Sequence, residues 1–160
     1  MNWQQLCADP VLQNLPYKLE LNRHGEVIMN AMSIEHAFYV EKIQLLLNGL
    51  APEGFCPPEF AIETRDGIRS PDVVWISRER ALAVRGHVFS TMAPEICIEV
   101  MSDGNTLNQM LEKRDLYFAA GADEFWLCSM HGVMQFFDAQ GERTCSARFP
   151  TFPSKIVLFE

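Results

Sequence analysis

Glu95-Ile96-Cys97-Ile98-Glu99-Val100-Met101 reads as a largely buried β-strand with a carboxylate inside it. Successive side chains of a strand point to opposite faces. Ile96, Ile98 and Val100 therefore share one face, and Glu95, Cys97, Glu99 and Met101 share the other. Glu99 has apolar neighbours on both sides. A buried carboxylate without a partner is costly, so it needs a cation, a hydrogen-bond network or a metal ion.

Downstream, Asp103 or Asn105 can cap a helix over Thr106–Ala120, whose apolar stripe is Leu107, Met110, Leu111, Tyr117 and Phe118, and Gly121 is a natural stop. A hairpin over Phe125–Ser129 and Val133–Phe137 follows, and one or two short strands finish the chain. Upstream, the spacing predicts a first strand pair over Tyr17–Leu21 and Glu26–Met29, closed by a turn at Gly25. A helix is predicted over Ser33–Leu50, with its stripe at His36, Tyr39, Val40, Ile43, Leu46, Leu47 and Leu50. Strands near Phe60–Thr64 and over Ser70–Ile76 flank Arg65-Asp66-Gly67, and a looser segment runs from Ser77 to Ala93. The order ββ-α-ββ-β-α-βββ describes an α/β protein: a single domain over residues 1–160, with its core at about 17–150 and a central mixed β-sheet flanked by helices.

The charge balance limits the function. Twenty-one acidic and 13 basic side chains give a net charge of −8, which excludes a bulk polyanion binder, because non-specific nucleic-acid affinity rests on Lys and Arg. The one positively balanced segment holds Arg65, Arg69, Arg78, Arg80 and Arg85 against Asp66, Asp72 and Glu79. Those arginines either meet a phosphate backbone or serve only solubility. No apolar stretch approaches the roughly 20 residues of a membrane helix, and no signal peptide is visible. Five cysteines without a C-x-x-C pair point to reduced thiols, hence a cytoplasmic protein without a membrane partner.

Asp72, in the strand after Pro71, shares a face with Val74 and Ile76. Two carboxylates on neighbouring strands would supply hard oxygen ligands suited to Mg²⁺; the plain alternative pairs each with an arginine or leaves it in water at a strand end. Lys113 borders the apolar stripe of its helix, able to reach back toward the carboxylates or to snorkel at the surface. Glu20 and His36 are accessory candidates, with a solvent-facing edge strand and a satisfied core histidine as their respective alternatives. Neither a phosphate-binding loop nor a dinucleotide fingerprint is present.

Ser70-Pro71-Asp72-Val73-Val74, then Pro94 to Ser102, then Lys113 with Tyr117, Gly121, Glu124 and Trp126 resemble the Uma-two family, restriction-endonuclease-like members of the PD-(D/E)XK nuclease superfamily. The resemblance implies a metal-dependent endonuclease that hydrolyses phosphodiester bonds, with DNA as the expected nucleic acid and a homodimer as a plausible assembly. It also implies Asp72, Glu99 and the backbone carbonyl of Val100 as ligands of Mg²⁺ or Mn²⁺, and Lys113 as the residue that orients or activates water. One position departs from the superfamily pattern. Met101 stands where the lysine two residues after the second acid is expected, so that role falls to Lys113. A catalytically inactive binding or regulatory module of the same fold is the alternative.

Overall fold

The computed structural model describes residues 1–159; Glu160, the last residue of the expected domain, lies outside them. The chain begins with two short helices, α1 (Trp3–Ala8) and α2 (Pro10–Gln13). Asn2 and Gln5 form a capping box on the first, while Asp9 caps the second with Pro10 at its first turn. Hairpin β1 (Tyr17–Leu21) and β2 (Val27–Ala31) precedes α3 (Ile34–Leu50), whose cap is Ser33. Strands β3 (Ile62–Thr64), β4 (Gly67–Arg69) and β5 (Val73–Trp75) come next. The segment read as loose contains helix α4 (Arg78–Val84), capped by Ser77. After β6 (Ile96–Val100), helix α5 (Leu107–Ala119) leads into β7 (Glu124–Cys128), β8 (Met134–Asp138) and β9 (Gly141–Arg143).

The class is the expected mixed α/β, but the strands divide into two sheets. One is antiparallel, in the order β2-β1-β4-β3, and the other is mixed, in the order β5-β6-β7-β8-β9. The single strand expected over Ser70–Ile76 accounts for the difference. Pro71 has no N–H to donate to a ladder, and the Ser70 N–H is taken by the Glu20 carboxylate at 2.8 Å. The chain thus leaves the first sheet at Arg69 and enters the second at Val73. Gly67 allows the tight turn before that exit: its φ is +79°, and a Cβ there would collide with the backbone of Leu21 and Asn22.

The five-stranded sheet is covered on both faces. Ile96, Ile98 and Val100 of β6, with Trp126 and Cys128 of β7, pack under Tyr39, Ile43 and Leu47 of α3. Cys97, Phe125 and Leu127 pack on the opposite face under Met110 and Tyr117 of α5. The parallel pairing of β6 with β7 requires such a crossover helix between them. Leu6 joins Leu21, Ala61 and Ile68 in a third cluster, and Phe152 and Ile156 complete the first. The packed core therefore runs beyond 17–150 at both ends. Two residues of the predicted apolar stripes do not bury: Leu107 is half exposed, and Leu50, at the end of α3, is exposed as well. Cys97 and Cys128 are buried thiols, whereas Cys145 is exposed.

Candidate active site

Three carboxylates meet between the two sheets. Asp72 sits just before β5, and the antiparallel register Val73↔Ile98 carries it toward Glu99. Period-two alternation places Lys18 and Glu20 on one face of β1, because Leu19 and Leu21 belong to the apolar cluster behind the strand. Lys113 reaches in from α5. Side chains of Glu20, Asp72 and Glu99 are at most 5% exposed, whereas Lys18 and Lys113 remain 14% and 15% exposed.

The hydrogen bonds assign each oxygen. Glu99 Oε1 accepts from the Tyr117 hydroxyl at 2.7 Å and from Lys113 Nζ at 3.3 Å. Asp72 Oδ2 accepts from the Val100 backbone N–H at 2.8 Å and lies 3.2 Å from His36 Nε2. The remaining oxygens, Asp72 Oδ1 and Glu99 Oε2, lie 3.0 and 3.4 Å from one atom, Lys18 Nζ. Glu20 is held by Lys113 Nζ at 3.0 and 3.3 Å and by the Ser70 N–H. Glu20 and His36, whose alternatives were solvent and plain core, thus both belong to the cluster.

Proton affinities in the cluster diverge. Burial pushes the Glu99 carboxyl up to about 7; Lys113 and Lys18 oppose the rise, and the charges of Asp72 and Glu20 add to it. Burial acts on Asp72 in the same direction, but Lys18 and the hydrogen bond to His36 hold it well below the usual carboxylate range. The Lys18 ammonium is stabilised by Glu99, Asp72 and Glu20 against its own burial. Burial and the neighbouring Glu99 raise Tyr117 well above a free phenol, which keeps its hydroxyl a donor. Pairs of titratable groups driven apart in this way are a frequent property of catalytic sites.

A family model described as "Putative restriction endonuclease", Uma2, matches residues 3–145. The chain belongs to the Uma2 family. The Uma2 fold is also seen in a crystal structure described as a "putative nuclease" from Anabaena variabilis ATCC 29413. That structure matches with a TM-score of 0.72 at 14% identity, over 89% of this chain and 82% of the other. No curated protein matches the chain.

The Uma2 motif run beginning at Lys113 splits in two. Lys113 and Tyr117 contact the carboxylates, whereas buried Glu124 accepts from the Trp126 indole N–H and the Arg148 backbone N–H, each at 3.0 Å. Its role there is to pin β7 and the C-terminal segment. The basic segment divides as well. Arg69 is buried and donates to the Leu21 carbonyl and Asp66, and Arg80 donates to the carbonyls of Ala93 and Gly121. Both are internal braces, which leaves Arg65, Arg78 and Arg85 exposed.

Two open clefts reach the cluster. Lys18, His36 and Asp72 line one of about 800 Å³, and Glu20 and Lys113 line another of about 430 Å³. Among the described residues, no three His, Cys, Asp or Glu side chains converge closely enough to hold an ion by themselves. Mg²⁺ does not demand that, since it commonly takes one or two carboxylates and completes its shell with water and phosphate oxygens. Asp72 Oδ1 and Glu99 Oε2, turned to a common point, are an all-oxygen pair that fits such an ion.

Lys18 was missed by the sequence reading. The signal was its alternation with Leu19 and Leu21, which puts it on the same face as Glu20. Tyr117 was read as part of the apolar stripe and of the motif run, without a contact to a carboxylate. Tyr117→Phe removes a buried hydrogen bond to a carboxylate and is expected to cost about 1.5–3 kcal/mol, read as a lower urea midpoint at unchanged slope.

Proposed function

We propose that this Uma2 protein is a metal-dependent endonuclease acting on nucleic acid, with DNA as the substrate. The observation that carries the reading is the pair of oxygens Asp72 Oδ1 and Glu99 Oε2, which face one point and there share a single cation, Lys18 Nζ, at 3.0 and 3.4 Å, beside Lys113, which is anchored to Glu99. In this reading Asp72, Glu99 and the Val100 carbonyl hold Mg²⁺ or Mn²⁺. Such an ion, when bound, polarises a phosphoryl oxygen and lowers the pKa of water. Tyr117 and Lys113 fix the Glu99 oxygen they contact, while His36 and the Val100 N–H fix one oxygen of Asp72. Lys113, exposed to the smaller cleft, orients the attacking water and offsets negative charge developing on the phosphate. Cutting both strands of a duplex takes two such sites, so a pair of chains is the corresponding assembly. Reduced thiols fit action in the cytoplasm. No helix among the described residues is long and apolar enough to cross a membrane.

The direct test incubates the purified protein with supercoiled and linear DNA, and with RNA, in Mg²⁺ or Mn²⁺. Nicking or cutting of DNA that EDTA abolishes is the expected result; no cleavage of any substrate with either metal removes the enzyme reading. Met101, in place of the superfamily's lysine, favours the second reading, a non-catalytic module of the same fold. That reading requires a melting temperature indifferent to both metals.

The pH dependence follows from Glu99. An ion binds the ionised carboxylate, and the Glu99 carboxyl is raised to about 7. Mn²⁺ affinity is therefore expected to fall on acidification below about pH 7, approaching tenfold per pH unit for one displaced proton, and to level off above it. Mn²⁺ titrations from about pH 5.5 to 8.5 check the sign. A flat profile would show that no proton is displaced.

A further inference from the structure

We propose that Lys18 occupies the metal position in the metal-free protein and is displaced into the larger cleft when the ion binds. The inference rests on the metal-dependent reading above and adds a resident competitor to it. Each carboxylate has one oxygen committed elsewhere: Glu99 Oε1 to Tyr117 and Lys113, Asp72 Oδ2 to the Val100 N–H and His36. The two uncommitted oxygens share the Lys18 ammonium at 3.0 and 3.4 Å. An ion contacting both at about 2.1 Å would lie between the same two atoms that now embrace the nitrogen. A partly buried ammonium a few ångströms away would also repel it, so the two cations exclude each other.

The two lysines are not equivalent in this respect. Lys113 Nζ is gripped by both oxygens of Glu20 in addition to Glu99, and none of those contacts involves the oxygens left for an ion. Among the described residues, every polar contact of Lys18 Nζ is to the two oxygens an ion would take. Its flexible stem starts from a paired strand, and Lys18 itself lines the cleft of about 800 Å³, so the ammonium has a solvated place to go. The consequence is a metal site held shut by its own chain, opened only at ion concentrations that overcome the internal ion pairs.

The test reads Lys18 itself in the full-length wild-type protein. Amine acetylation followed by mass spectrometry, with and without Mn²⁺, is expected to show Lys18 labelling several-fold faster with the metal while Lys113 labelling is unchanged. In parallel, Lys18→Gln is expected to bind Mn²⁺ about tenfold to a hundredfold more tightly, the scale on which buried charge pairs act, measured as free Mn²⁺ by electron paramagnetic resonance. Should Lys18→Gln not fold, the wild-type labelling decides alone. Mn²⁺ binding that leaves Lys18 labelling unchanged overturns the displacement and leaves the metal-dependent reading standing. Absence of Mn²⁺ binding in both wild type and Lys18→Gln overturns both. Binding by Lys18→Gln alone supports the resident-cation role.

Discussion

Asp72→Ala is expected to abolish metal-dependent cleavage. Losing one preorganised electrostatic contact typically costs about 10²–10³ in rate, and this substitution removes a proposed ligand together with the anchor that His36 and the Val100 N–H give it. Plasmid nicking in Mg²⁺ and Mn²⁺, followed over a thousandfold range of protein concentration, measures the loss; activity within tenfold of wild type would place the metal elsewhere. Asp72→Asn keeps the shape and separates chemistry from folding. The stability consequence has a definite sign. Because the folded protein holds the Asp72 carboxyl well below its ordinary value, its contribution is present above about pH 4 and is lost as the pH falls below that. Wild type should lose stability on acidification more steeply than Asp72→Asn.

Lys113→Ala is expected to lower cleavage about a hundredfold or more, the usual contribution of a positioned proton-handling or charge-stabilising side chain. It also leaves Glu20 and Glu99 facing one another with only Lys18 to offset them, and breaking a buried ion pair from one side costs about 3–5 kcal/mol. A drop in activity could therefore reflect folding alone. Glu20→Gln in the Lys113→Ala background removes the surplus carboxylate charge, so the double variant should regain much of the melting temperature without regaining cleavage. Recovery of both together would make Lys113 a structural counter-ion. Loss of cleavage that persists in the stabilised double variant makes it part of the reaction.

The charge of −8 takes on a local meaning beside these expectations. Three of the acids are concentrated in one buried cluster with two of the chain's four lysines. Arg69 and Arg80, which the sequence offered as phosphate contacts, are instead used inside the protein. On the proposed function, an acidic body would meet nucleic acid through the cleft that reaches Asp72 and a few exposed arginines, an arrangement sensitive to salt.

What the sequence determined by itself is whatever depends on neighbours a few residues apart. The alternation through Glu95–Met101 predicted the two faces of β6. Helical spacing located α3 and α5, and the motif residues led to the Uma2 family. Asp72 and Glu99 were legible because charge beside or within an apolar run is locally anomalous, whereas Lys113, in the charged run Glu112–Asp115, was named through its place at the border of the helix stripe and through the family motif. Lys18 was not, since a lysine in a strand next to a turn looks like an ordinary surface residue. Its contacts to Asp72 and Glu99 span 54 and 81 positions, and the Lys113–Glu20 pair spans 93. Such contacts are set by how two sheets meet, not by any periodicity. The division of the sheet at Ser70-Pro71 also belongs to the tertiary structure, because Glu20 on a different strand takes the Ser70 N–H. Local pattern fixes which face of an element is apolar; only packing decides which charges share a buried space, because burial strengthens every ion pair it encloses and forces each carboxylate to find a partner.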